Sequence, residues 1–158
     1  MTKYARQSLV ALVLVLGLIL AVPGISAAQA EDRVEKVSNS GFDQTVKQLE
    51  TAIKKRGAMI VATIDHQNML RMVGASIRGS KTIEFGKPDM MKMLLPDNPE
   101  IGVEMPLKIY VYERADGKVV LSYRKLSSAF ASYGKEPLTK AGQMMDMMLG
   151  EIVDEAAK

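Results

Sequence analysis

Leu107-Lys108-Ile109-Tyr110-Val111-Tyr112-Glu113, then Arg114-Ala115-Asp116-Gly117, then Lys118-Val119-Val120-Leu121-Ser122-Tyr123-Arg124 is the stretch that decides the fold of this 158-residue chain. The flanking runs are alternating or continuous in β-prone residues, and Asp-Gly between two such runs is a strong hairpin signal. A hairpin here predicts an antiparallel sheet, and the segments around it are read against that.

Upstream, Lys81 to Phe85 predicts a strand closed by Gly86-Lys87-Pro88, and Met59 to Ile64 predicts a buried strand ending at Asp65-His66. Between these two, residues 67–75 are ambiguous, with Met69, Met72 and Val73 at helical spacing. Phe42, Val46, Leu49 and Ile53 recur every three or four residues, which predicts a helix over 42–56 that stops at Gly57. Residues 33–38 read as a short first strand and 89–95 as a short helix ended by Pro96-Asp97-Asn98-Pro99, since the residue before a proline leaves the helical region. Downstream, Leu138, Ala141, Met144, Met145, Met148, Leu149, Ile152 and Ala156 form the apolar stripe of a long amphipathic helix. The order is strand, helix, four strands, long C-terminal helix, which predicts an α+β, two-layer domain with a mostly antiparallel sheet.

Residues 1–30 read as a secretory signal peptide. Lys3 and Arg6 precede a fourteen-residue apolar run, Leu9 to Val22, and Ala28-Gln29-Ala30 places cleavage after Ala30. A membrane span needs roughly 20 apolar residues, so no stable membrane anchor is expected after cleavage. The expected working protein is a single domain, residues 31–158, soluble in the periplasm or another extracytoplasmic space. Without Lys3 and Arg6 the chain has 19 basic residues against 18 acidic, so it lacks the concentrated basic face that nucleic acid needs. It has no Cys and no Trp, but eleven Met beyond residue 30, and its core is expected to be aliphatic and Met-filled.

Ile64-Asp65-His66 closing a strand, Phe85-Gly86 with Pro88, Leu94 with Asn98-Pro99, and Met105-Pro106 leading into the hairpin together resemble DUF302, a family known only as a domain of unknown function. The resemblance spans roughly residues 42 to 135. It implies a TBP-like arrangement of strand, helix, four strands and helix, and it implies no reaction. Lys87, where the family usually has Asn, and Met90-Met91-Lys92-Met93 depart from the family pattern.

His66 is the single histidine, so nucleophilic catalysis would need Ser or Thr with His66 as base. No strained-turn serine motif and no phosphate loop is present. Three readings follow. A non-catalytic domain binding a small or apolar ligand is expected from the fold, in a hollow between the curved sheet and the Met of the last helix. Soft-metal binding is the alternative: His66, Met69 and Met72 are spaced by three, and one imidazole with two thioethers suits Cu(I) or Ag(I), with Met90, Met91 and Met93 as a second patch. An enzyme of unrecognised type is the third. A homodimer through the sheet edge or the hairpin is compatible with each, with Met147, off the helical stripe, at its interface. Met144, Met145, Met148, Met59 and Met105 are expected in the core.

Overall fold

The computed structural model describes residues 32–158, so the signal-peptide reading of residues 1–30, with cleavage after Ala30, lies outside the described residues. Five strands form one sheet in the order β1-β5-β4-β3-β2, with every neighbouring pair antiparallel. They are β1 (Arg33–Val37), β2 (Met59–Asp65), β3 (Ser80–Gly86), β4 (Leu107–Glu113) and β5 (Val119–Arg124). Helices α1 (Phe42–Lys55), α2 (His66–Met72), α3 (Pro88–Leu94), α4 (Leu126–Ala131) and α5 (Glu136–Ala156) lie between and after them, with a 3-10 turn at Pro99–Glu104. The domain is thus α+β, as the sequence predicts.

The hairpin forms where Asp116-Gly117 places it: Gly117 has φ of +80° and the Arg114 N–H donates to the Lys118 carbonyl at 2.8 Å. Glycine accepts that conformation without a Cβ penalty. Alternation along the strands then sorts residues onto two faces. Leu107, Ile109, Val111, Leu121, Tyr123, Ile83 and Phe85 point to one side and are buried against α1 and α5. Leu49 and Ile53 of α1 and Leu138, Met145, Leu149 and Ile152 of α5 complete that core, all essentially without exposure. The two helices are also clamped at one end, where Lys55 and Arg56 each place a nitrogen within 2.9 Å of Glu155.

Two methionines expected in the core are not in it. Met59 is 62% exposed and Met144 60% exposed. At about 100° per residue, Met144 lies about 120° around the helix from Leu138, beyond the buried stripe, and Met147 lies opposite it. Met59 opens the edge strand opposite Gly86, ahead of a bulge between Ile60 and Ala62. Met145 is buried as expected, and Met105 and Met148 pack against the core half-buried. The ambiguous segment forms α2, capped by Asp65, whose Oδ1 accepts from the Asn68 N–H at 2.8 Å. Helix α4, with no counterpart in the predicted order, sits across the start of α5.

Candidate ligand site on the open face of the sheet

The face of the sheet turned away from α1 and α5 carries the residues that alternate with the core. Register places Thr82 opposite Tyr110 and Tyr110 opposite Ser122, a row across β3, β4 and β5. Ser80 and Tyr112 face each other in the next row, and Glu84 and Lys108 in the row on the other side. At the sheet's far edge Arg33 pairs with Arg124.

His66 reaches this face from the start of α2. Its Nε2 is 2.8 Å from Thr82 Oγ1, and its ring meets Tyr110 edge-on at 5.8 Å. Tyr110 stacks on Tyr112 with ring centroids 5.1 Å apart and 14° between the planes. The hydroxyls are tied down as well: Tyr110 to Ser80 Oγ at 2.8 Å, and Tyr112 donating to Glu35 at 3.4 Å. Burial, and then the Glu35 carboxylate beside it, raise the Tyr112 phenol above its ordinary pKa, so it stays a donor. The result is a pinned ladder of three rings, and pinned rings cost little entropy when a ligand is placed on them.

Beside the ladder is an open depression of about 370 Å³, lined by Thr82, Tyr110 and Ser122 together with Arg33, Lys108 and Arg124. Arg33 is paired with Glu35 at 3.4 Å, whereas among the described residues Lys108 and Arg124 have no carboxylate within salt-bridge distance. Two unpartnered cations beside hydroxyl groups make an anion-attracting surface.

Of the residues singled out from sequence, His66 lies at this site while its expected companions do not share its environment. Met69 and Met72, on the following turns of α2, are 57% and 78% exposed. Met90 packs half-buried against the core, the Met91 sulfur lies beside Gly86, and Met93 is exposed, so the second patch is divided between inside and outside. Thr82 is the hydroxyl that His66 meets, and no hydrogen bond to a described residue holds the imidazole Nδ1. That pair therefore lacks the orienting third group that an activated nucleophile uses. A hollow of about 440 Å³ lies at the end of the sheet, with Leu107, Leu126, Ala129 and Leu149 in its wall and no methionine among its lining residues. Lys108, Tyr110 and Tyr112 were missed from sequence, although the strict alternation in β4 marks them as the outward set.

The family model described as "Domain of unknown function DUF302" matches residues 34–156. The fluoride-specific ion channel FluC 1 of Brucella suis biovar 1 (strain 1330) is 25% identical over 85 residues, which are 54% of this chain and 34% of the channel. FluC 1 of Brucella abortus biovar 1 matches at the same identity over 85 residues, 32% of its length. The chain spans about a third of the length of the curated relatives it matches. No helix among the described residues is long and apolar enough to cross a membrane. The crystal structure of an uncharacterized conserved DUF302 protein from Bacillus stearothermophilus superimposes with a TM-score of 0.73 at 17% identity, covering 80% of this chain and 98% of that one.

Proposed function

The chain belongs to the DUF302 family, and from that premise we propose that it is a non-catalytic binding domain, working outside the cytoplasm, which holds a small anion on the open face of its sheet. The observation that carries this reading is the pair of unpartnered cations, Lys108 and Arg124, beside Tyr110, Thr82 and Ser122. The cations supply charge-assisted hydrogen bonds and the hydroxyls a polar lining around them, while the pinned ring of Tyr110 offers its edge or face to whatever the anion carries. The sign of the charge is also consistent with the relatives named as fluoride-specific, which makes fluoride one of the anions to try.

Amide chemical shifts followed during titration with fluoride, phosphate and acetate test the reading. Shifts should concentrate at Thr82, Tyr110 and Ser122 for at least one of the three. Removing one charge-assisted contact costs about 1.5–3 kcal/mol, so Lys108→Ala should weaken that anion about tenfold or more. No perturbation at millimolar anion, or an unchanged affinity in the Lys108→Ala, Arg124→Ala double variant, ends the proposal.

A further inference from the structure

Lys108 and Arg124 line two hollows at once. They border the depression with Tyr110 on the open face, and they also border the hollow of about 440 Å³ at the sheet's end. The second hollow is different in character: Leu107, Leu126, Ala129 and Leu149 give it an apolar wall that runs from the sheet to the last helix. It also carries two carboxylates: Asp32, which accepts from the Ser128 hydroxyl at 2.5 Å, and Glu104, which accepts from the Tyr133 hydroxyl at 3.1 Å. Lys125 adds a third cation to its lining. Both volumes fall in the range of small-molecule sites.

Resting on the anion reading above, we infer that the ligand is an amphipathic anion, a carboxylate with an unbranched apolar tail. Its head sits between Lys108 and Arg124, and its tail lies in the hollow walled by Leu107, Leu126, Ala129 and Leu149. A purely inorganic anion would leave that wall against water, whereas a tail covering it gains the free energy of apolar burial. A neutral apolar molecule would cover the wall without giving Lys108 and Arg124 the carboxylate at salt-bridge distance that no described residue supplies.

The test compares acetate, butanoate and octanoate on the full chain. Affinity should rise about fourfold for each methylene that enters the hollow, the equivalent of burying one CH₂. Ala129→Phe should fill the hollow and abolish the gain from the tail, so that octanoate binds it no tighter than acetate does. Ala129→Leu, a smaller filling of the same wall, serves if Ala129→Phe does not fold. If acetate shifts Tyr110 but octanoate binds no tighter, the tail is wrong and the anion reading stands. If octanoate binds equally to the Lys108→Ala, Arg124→Ala variant, the head is not where the cations are and both fall. If none of the three binds, the inference is overturned along with carboxylates as the anion.

Discussion

Asp146 belongs to α5, yet its carboxylate accepts from the N–H groups of Leu126 at 2.6 Å and Ser127 at 3.3 Å, two of the free donors that begin α4. A side chain twenty residues away in sequence is thus filling the role of an N-cap. Loss of such a cap costs about 1 kcal/mol, so Asp146→Ala should lower the urea midpoint by that equivalent, and Asp146→Asn should recover part of it. An Asp146→Ala variant as stable as the parent would show that water replaces the carboxylate without loss. Glu155 gives a second prediction, in pH. Hydrogen bonds from Lys55 and then Arg56 hold its pKa below the ordinary 4.5. A carboxylate whose folded pKa is depressed stabilises the fold at pH above its unfolded value, and that contribution is lost as pH falls through the folded one. Acid unfolding followed by circular dichroism should therefore show a shallower loss of stability below about pH 4.5 in Glu155→Gln than in the parent. The effect should shrink at high salt, because the pair is exposed to solvent. Neither partnership was legible from sequence, since Asp146 and Leu126, like Arg56 and Glu155, meet only after the chain has folded back.

At the level of elements, legibility followed length and periodicity. The helix over 42–56 and the hairpin around Asp116-Gly117 appear where local pattern put them, because a stripe of four turns and an obligatory turn residue are both strong local signals. Helix α4 is six residues of Leu-Ser-Ser-Ala-Phe-Ala. That is too short to show a period, and it exists because Asp146 caps it and Phe130 is fully buried. At Gly142 the backbone of α5 lies close against that of α4. A Cβ built there would stand 2.8 Å from Ser127 Cα and 2.9 Å from the Leu126 carbonyl oxygen. Those are backbone atoms, which cannot swing aside as a side-chain tip can. In an open helix Gly→Ala would stabilise by about 1 kcal/mol, but overpacking costs about 1–3 kcal/mol. Gly142→Ala should therefore be neutral to destabilising, and should broaden or shift the resonances of Phe130 and Leu126 in α4. A variant more stable than the parent by the full helical propensity would mean that α4 is free to move away. The placement of Met144 also turns on the width of a helical stripe. A stripe read at spacings of three and four admits Met144, whereas the actual buried arc, centred on Leu138, Met145, Leu149 and Ile152, is narrower.

On the scale of the whole molecule, the two helices cover one face of the sheet and leave the other to Tyr110, Tyr112, Thr82 and the cations, so the single core and the candidate site lie on opposite sides of the same strands. That arrangement makes the strands the mechanical support of the site, and it makes the closure of the core a matter of function as well as stability. The closure is where β1 and the end of α5 meet. The Asn39 N–H donates to the Ala157 carbonyl at 2.9 Å, Ser40 and Gln48 donate to the Lys158 carbonyl, and Ser38 and Thr45 share a buried hydroxyl bond of 2.8 Å beneath them. Deleting residues 151–158 would remove these acceptors together with Ile152, Val153 and Ala156, each at most 2% exposed. Burial of one such branched side chain contributes about 1.5–3 kcal/mol, against a total stability of about 5–15 kcal/mol for a native domain. Two of them, with the buried Ala156 and the lost backbone acceptors, amount to much of that total, so the shortened protein should lose its fold throughout and not merely fray at the end. In a proton–nitrogen correlation spectrum at physiological temperature, the amides of β3 and β4 should then collapse to unfolded positions together with those of β1, and the shifts that an anion induces at Tyr110 should vanish with them. Retention of dispersed β3 and β4 amides, with loss confined to β1 and α1, would instead show that the sheet stands without the closure and that the open face depends on its strands alone.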